Sequence, residues 1–262
     1  MRPIEPGTDS ARALEPCFAA DLPTLPRLLG VLDGTLAGAI WAADEASPGW
    51  VTATEMADGT TYIGGEASPS ALAAVFATLR PVSEEIVVGL CGPADPVRSM
   101  LPEGGIRWSE AIDFSERVPP ALEAELLEAP PGTEVAVMDP ALLARTEWYA
   151  DTLTAFGSIE RWLELGLGRA LVRGDELCCE ATAGPVIRGT MEMGVRTAPE
   201  HRGRGYATLT CRHLARDIEA RGWRPWWNTN AGNHGSIAVA RALGFRRERR
   251  YELAWWEAAA FR

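Results

Sequence analysis

The stretch MGVRTAPEHRGRGYATLTCRHLARDIEA, residues 193–220, constrains the fold of this chain more than any other part of its sequence. It reads as a strand that ends at Val195, a turn rich in glycine and arginine, and a long helix. Glycines let a backbone approach a ligand closely, and the first N–H groups of a helix are unpaired and partly positive. Arg202 and Arg204 add full charges. The stretch therefore predicts a strand–loop–helix unit that binds an anion, and a pyrophosphate is its natural ligand.

The order of residues in this loop separates it from other phosphate loops. No GKS or GKT follows, so it is not a Walker loop, and the context of a dinucleotide fingerprint is missing. Residues 202–207 instead follow the pattern R-x-x-G-x-A. This pattern resembles the coenzyme A pyrophosphate motif of GNAT acetyltransferases, and the preceding V-x-x-x-P-E-x-R resembles the strand that approaches it in that family.

A second segment strengthens the resemblance. Asn233 to Ser236, followed by ARALGF at 240–245, resembles the N-x-x-A/S…LGF helix of GNAT proteins and comes after one intervening helix and strand. The same residues also suit a capped helix that ends at a glycine. The resemblance covers roughly residues 133–256. A looser likeness is to a bacterial GNAT subgroup that includes zwittermicin-resistance acetyltransferases, whose N-terminal half is divergent.

The resemblance implies an α+β GNAT fold, with a largely antiparallel mixed sheet flanked by helices, and acetyl-CoA as acyl donor. The pantetheine would pair with the backbone of Val195, Arg196 and Thr197 like an added strand. The pyrophosphate would lie on the loop and the helix start, and the later helix would contribute its first turn. The implied cofactor residues are Val195, Arg196, Thr197, Arg202, Gly203, Arg204, Gly205, Tyr206, Ala207, Thr208, Asn233 and Ser236. The amine would attack the thioester directly, without an acyl-enzyme.

Attack requires a neutral amine, so a general base is expected. Glu192 is the candidate, because it precedes Val195 on the same strand, beside Gly194, where a bulge would splay the sheet. An equally good alternative is that Glu192 binds substrate or a neighbouring strand. Many GNAT enzymes have a tyrosine as general acid seven residues after the motif asparagine, where this chain has Ala240. Tyr206, Ser236 or water remain open as substitutes.

Charge and proline content predict two domains. The stretch VPPALEAELLEAPPGT, residues 118–133, reads as a linker. Residues 1–130 carry 7 arginines and 20 acids, whereas residues 131–262 carry 18 arginines and 16 acids. We therefore expect a divergent, acidic α/β domain at 1–130, serving the acceptor side or the fold, and a GNAT domain at 131–262.

The hydrophobic pattern predicts alternating helices and strands in both halves. Helices are predicted at Leu22–Leu32, Pro69–Leu79, Pro96–Leu101, Pro140–Tyr149, Ser158–Leu165, Ala207–Arg221 and Ser236–Leu243. Strands are predicted at Gly38–Ala43, Trp50–Glu55, Thr60–Ile63, Glu85–Leu90, Ile106–Phe114, 132–139, Pro225–Thr229 and Arg249–Trp256, with three consecutive antiparallel strands within 168–195. Cys178 and Cys179 are predicted to lie on alternate faces of a buried strand.

Composition excludes several function classes. The net charge of −11 argues against nonspecific nucleic-acid binding. The chain has no apolar run long enough for a membrane span and no secretion-signal pattern, so a cytoplasmic location is expected. Its 3 histidines and 5 cysteines show no metal-ligand spacing, so no metal is expected. All 25 basic residues are arginine, which rules out Schiff-base chemistry on a lysine.

Three functions are left open by these patterns. The first is N-acetylation of a primary amine on a small molecule, for example an antibiotic or a related metabolite. The second is acetylation of a protein or peptide amine. The third is a non-catalytic module that binds acyl-CoA. A homodimer is also left open.

Overall fold

A computed structural model describes residues 2–18, 20, 22, 24–43, 49–56, 59–65, 85–90, 107–120 and 128–257. The predicted helices Pro69–Leu79 and Pro96–Leu101 lie outside these residues. No helix in the described ranges is both long and apolar enough to cross a membrane.

The chain forms two compact units, and neither is one continuous stretch of sequence. The first contains Met1–Ile112, Asn230–Gly232 and Arg249–Arg262, and the second contains Asp113–Thr229 and Asn233–Glu248. Two strands, β6 (Arg107–Arg117) and β12 (Phe245–Glu257), contribute residues to both units. The predicted domain boundary between residues 130 and 131 stays a prediction. Each compact unit combines segments that are far apart in the sequence.

The first unit has a mostly antiparallel sheet in the order β1-β2-β3-β4-β5, in which only β4 and β5 run parallel. On the other side of β5 the sheet is extended by the end of β12, which pairs antiparallel with it. The elements before β6 are β1 Arg2–Ile4, α1 Asp9–Arg12, a 3₁₀ turn at Glu15–Cys17, α2 Leu25–Asp33, β2 Gly38–Ala42, β3 Trp50–Glu55, β4 Thr60–Gly65 and β5 Glu85–Leu90. The sequence pattern predicted α2 and β2 to β5 closely but missed β1 and α1.

The second unit repeats this arrangement. Its sheet has the order β7-β8-β9-β10-β11, again antiparallel except for the last pair. The elements are β7 Glu134–Val137, α3 Pro140–Leu143, α4 Tyr149–Phe156, α5 Ile159–Leu165, β8 Leu167–Arg173, β9 Glu176–Ala183, β10 Thr190–Thr197, a 3₁₀ turn at Pro199–His201, α6 Tyr206–Ala220, β11 Arg224–Asn230 and α7 His234–Ala242. The three predicted antiparallel strands are β8, β9 and β10.

Two details show that the repetition extends to single residues. The parallel pair begins at Thr60 in the first unit and at Thr190 in the second, and each register spans three residue pairs. In each unit this threonine lies on the fourth strand, and the residue four positions after it is a glycine that lies against an aromatic ring. A Cβ on Gly64 would lie 2.9 Å from Phe18, and one on Gly194 would lie 3.1 Å from Trp148. No repeat is visible in the sequence, so the structure alone reveals it.

The predicted helix Pro140–Tyr149 is wrong, because the chain forms two helices there. Asp139 caps α3 by accepting a hydrogen bond from Leu142 N–H, and α3 ends after four residues. The Thr146 hydroxyl then donates to the Leu143 carbonyl at 2.7 Å, a side-chain bond that competes with helix continuation. The intervening segment 144–148 is non-helical, and it contributes to the site described below.

Two hydrophobic clusters lie on opposite faces of the second sheet. One packs beneath α3 to α5 and contains Met138, Leu143, Phe156, Trp162 and Ala170. The other packs beneath α6 and contains Leu171, Cys178, Cys179, Tyr206 and Leu209. The Arg169 guanidinium on β8 also binds Asp217 of α6 through two hydrogen bonds, at 2.6 and 2.9 Å. Together these contacts fix the strands that carry the site.

The prediction that Cys178 and Cys179 face opposite sides is wrong. The register between β8 and β9 shifts, so that Leu171 pairs with Cys179 and Val172 pairs with Leu177. Cys178 is the extra residue of this bulge, and a bulge breaks the alternation of side chains along a strand. Both thiols therefore lie in the cluster beneath α6, where burial raises their pKa values above that of a free cysteine.

Candidate functional site

Strands β10 and β11 pair over only three residues before they separate. Their parallel register ends at Glu192 and Trp226. On its other edge β10 continues to pair with β9, from Met193 to Thr197, without a shift. Among the described residues, the β11-facing edge of Met193–Thr197 therefore has no strand partner. The expected opening of the sheet beside Gly194 is present, between β10 and β11, but the pairing with β9 is regular there, so no bulge against β9 causes it.

The loop after β10 leads directly into the N-terminus of α6. Gly203 and Gly205 adopt φ angles of +74° and +78°, which side-chain-bearing residues rarely adopt. Gly205 is the N-cap, so no side chain caps the first N–H groups of the helix. Arg202 Nε donates to the Thr197 carbonyl at 3.2 Å, and one Arg204 Nη atom donates to the Glu200 carbonyl at 3.3 Å. The loop is thus held by its arginines while its helix-start donors remain available to an anion.

A cleft of about 600 Å³ lies over this loop. It is lined by Val195, Arg196, Thr197, His201, Arg202, Gly203, Gly205, Tyr206, Ala207, Thr208, Asn233, Gly235, Ser236 and Val239. The structure therefore brings together every cofactor residue that the sequence predicted except Arg204, which does not line the cleft. Their role in binding stays a prediction.

Two of these residues also build the start of α7. The Asn233 side chain accepts a hydrogen bond from Ser236 N–H at 3.1 Å and so caps the helix. The Ser236 hydroxyl oxygen accepts a hydrogen bond from the Trp227 indole N–H at 3.0 Å. Since this bond uses the oxygen as acceptor, the hydroxyl hydrogen is directed elsewhere. Asn233 and Ser236 therefore form the cap of α7 and also line the edge of the cleft.

The two side chains left open as general acid, Tyr206 and Ser236, differ in their surroundings. Tyr206 is the first residue of α6, its side chain is buried, and its hydroxyl oxygen accepts a hydrogen bond from Arg173 at 3.0 Å. Ser236 is half-buried at the edge of the cleft. Ala240, at the position of the missing tyrosine, is fully buried in α7. Ser236 is therefore better placed than Tyr206 to donate a proton into the cleft.

Glu192 is half-buried on β10, next to the point where β10 and β11 separate. Strand alternation places it on the same face as Gly194 and Arg196. This face lies under the segment 144–148, because the Trp148 ring stands over Gly194. Glu192 therefore faces the side of β10 away from α6. Its role as a base stays a prediction.

A second cavity, of about 330 Å³, lies on that face and was not predicted from the sequence. Its charged lining residues are Arg145, Glu147, Glu180 and Arg196. Glu180 is only 3% exposed, and burial raises the pKa of its carboxyl group. The one signal in the sequence is a charged residue inside the apolar strand ELCCEATA, because such a residue is rarely buried without a reason.

Three potential metal ligands meet beside the loop, although their sequence spacing gave no indication of it. The ligand atoms of Glu176, Cys178 and His201 lie within 4.8 Å of one another. The His201 Nε2 atom is 3.0 Å from a Glu176 carboxylate oxygen, and the imidazole is buried. The expectation that the chain binds no metal stays a prediction.

The likeness to known proteins extends along most of the chain. A model of the GNAT acetyltransferase family matches residues 27–254, so the likeness begins well before residue 133. The chain is 28% identical to the uncharacterized N-acetyltransferase YdfB of Bacillus subtilis (strain 168) over 98 residues, 37% of this chain and 38% of that one. The chain therefore matches well under two thirds of that relative.

Solved structures show the fold. The crystal structure of a GCN5-related N-acetyltransferase-like protein from Streptococcus suis 89/1591 aligns with a TM-score of 0.74 at 20% identity, covering 95% of this chain and 99% of that one. A tandem GNAT protein from the clavulanic acid biosynthesis pathway aligns with a TM-score of 0.57 at 13% identity, covering 98% and 97%. At these identities the likeness extends to the fold alone.

Proposed function

This chain belongs to the GNAT acetyltransferase family, and from that premise we propose that it moves an acetyl group from acetyl-CoA to a primary amine on a small molecule. Proteins of this family are acyl-CoA-dependent acetyltransferases, so acyl transfer itself is the family's activity. Acetyl as the acyl group and a small molecule as the acceptor are the proposed parts. The observation that supports an acyl-CoA donor is the cleft in which the separated β10 edge, the glycine loop and the α6 N-terminus meet.

The cleft suits the two chemically different parts of coenzyme A. The β11-facing edge of Val195–Thr197 can pair with the amide groups of pantetheine as with an added strand. The loop and the first turn of α6 offer backbone N–H groups, a helix dipole and Arg202 to the pyrophosphate. In this arrangement the thioester lies near Val195, at the side of β10 where Gly194 and Arg196 face the segment 144–148.

The proposed reaction is direct aminolysis of the thioester. The amine nitrogen forms a bond to the carbonyl carbon, the C–S bond breaks, and an amide and a thiolate result. The amine loses one proton to a base, for which Glu192 is the candidate, directly or through water. The thiolate gains one proton, from Ser236 or water. Since a thiol has a pKa of only about 8.5, the thiolate leaves with little assistance.

A small acceptor is favoured by the size of the cavity beside the cleft, about 330 Å³. Membership of the zwittermicin-resistance subgroup, a cytoplasmic location and a homodimer stay predictions.

The test is to incubate the full chain with acetyl-CoA and a panel of small amines and to measure free thiol and acetylated amine together. Equal amounts of both products with at least one amine would support the proposal. Thiol release without acetylated amine, or no release with any amine despite bound acetyl-CoA, would contradict it.

A further inference from the structure

The 330 Å³ cavity between β9, β10 and the segment 144–148 has an unusual balance of charge. Its lining carries two arginines, Arg145 and Arg196, and two glutamates, Glu147 and Glu180. These fixed charges cancel when all four groups are ionised. A ligand with a large net charge of either sign gains little from such a lining, whereas a ligand with one positive and one negative group can be matched at both ends.

Glu180 is the residue that most needs a ligand. Its side chain is almost completely buried, and its carboxylate accepts hydrogen bonds from the backbone N–H groups of Glu147 and Trp148. Within the described part of the chain, its Oε1 atom has no hydrogen-bond partner. A buried carboxylate oxygen without a donor is costly, and an N–H group from a bound molecule would satisfy it.

Arg196 connects this cavity to the proposed cofactor cleft. It lies directly opposite Glu180 in the register of β9 and β10, and it forms an ion pair with Glu147. It lines both cavities. Because pantetheine would use the backbone of residue 196, the guanidinium N–H groups that do not bind Glu147 remain for a different ligand. Arg145 is exposed at the rim and donates a hydrogen bond to the Asp175 carbonyl, so its other donors face solvent and the cavity.

We propose that this cavity binds the acceptor and that the acceptor is a small amine that also carries a carboxylate, such as a free amino acid. The amine donates a hydrogen bond to Glu180, and the carboxylate is held by Arg145 and Arg196, whose planar guanidinium groups suit carboxylates. This inference rests on the proposed acetyltransferase function and specifies its substrate class. Glu180 is a binding residue in it, and proton removal remains with Glu192 or water.

The experiment compares matched acceptors on the full chain at one acetyl-CoA concentration. Each L-amino acid of a panel is paired with the amine left when its carboxylate is removed, and thiol release gives kcat/KM for both. We expect the amino acids to exceed their partners by at least about tenfold, the effect of losing hydrogen bonds to a charged group. In Glu180→Gln and Arg145→Gln the KM for the amino acid rises by a similar factor.

Two controls keep the outcomes distinct. Glu164→Gln removes a carboxylate from an exposed position on α5 and should leave kcat, KM and acetyl-CoA affinity unchanged. Acetyl-CoA affinity, measured by calorimetry, should be the same in all three variants, which also shows that they fold. Equal turnover of amino acids and carboxylate-free amines, or an unchanged KM in Arg145→Gln and Glu180→Gln, overturns this inference while the acetyltransferase function stands. No turnover of any amine overturns both.

Discussion

Trp148 stands over Gly194, and a Cβ placed on that glycine would lie 3.1 Å from the ring. The ring belongs to the segment 144–148 and the glycine to β10, so this contact joins the lining of the acceptor cavity to the strand that would hold the thioester.

We therefore expect Gly194→Ala to disturb the active site. The added methyl group must displace the ring, which should cost about 1–3 kcal/mol in the free energy of unfolding and lower kcat/KM. Gly184→Ala is the control, because its nearest neighbour, the Glu192 carbonyl oxygen, is 4.0 Å away. Urea unfolding and thiol release measure the two effects. If Trp148→Ala does not relieve the loss in a double variant, the contact is not its cause.

Replacing Gly205 tests the pyrophosphate site. Gly205→Val introduces a side chain at a φ of +78°, over the loop where the anion would lie. Gly222, at the other end of α6, has a φ of +75° and equally open surroundings. Both valine variants should lose about 1–2 kcal/mol of stability through backbone strain. Only Gly205→Val should weaken acetyl-CoA binding, by at least about tenfold, in calorimetry. Equal affinities in both variants would show that the cofactor binds elsewhere.

Glu192→Gln tests the proposed base. Turnover should fall while acetyl-CoA affinity is retained, and the loss should shrink as the pH approaches the pKa of the amine, where no base is needed. The measurement is kcat against pH for wild type and variant. A loss that is constant with pH would indicate that Glu192 positions the substrate, and full activity at every pH would remove it from the mechanism.

The buried carboxyl of Glu180 should make stability depend on pH. Burial raises its pKa in the folded chain above the value of about 4.3 expected when unfolded. Folding therefore favours the protonated carboxyl group, which adds to the free energy of unfolding. This stabilising contribution is fully present below the pKa of the unfolded state and is lost as the pH rises through the pKa of the folded state. Relative to Glu180→Gln, the wild type should lose unfolding free energy between about pH 4 and the folded pKa, in urea titrations. A constant difference would contradict this.

One chain should bind one acetyl-CoA, although it contains two units of the same architecture. In the first unit the strand equivalent to β10 is followed by GEASPSALA, residues 65–73, which has no arginine and has a proline that lacks an N–H group. The segment 1–130, with its excess of acids, would also repel a phosphate-rich ligand. Calorimetric titration of the intact chain measures the stoichiometry, and a value of two would disprove the interpretation.

The anion loop could be predicted because its information is local. Gly203, Gly205 and the helix start are consecutive, and their chemistry follows from positive φ angles and unpaired N–H groups. The acceptor cavity could not be predicted, since Glu180 and Arg196 become neighbours only through the register of β9 and β10. The break between α3 and α4 was missed because the hydrophobic pattern does not show that the Thr146 hydroxyl bonds to the Leu143 carbonyl. The repeat was hidden because other equivalent positions, such as Tyr62 and Glu192, carry unrelated side chains.

The pairing of β5 with β12 has a consequence for how the chain is made. Glu85–Leu90 bonds to Glu252–Glu257, so roughly 160 residues must be translated between the two partners. At about 5–20 residues per second, the β12-facing edge of β5 waits for its native partner for about 10–30 s. An apolar strand edge left open for that time is a template for wrong pairing. Until β12 emerges, a chaperone that covers this edge would prevent such pairing.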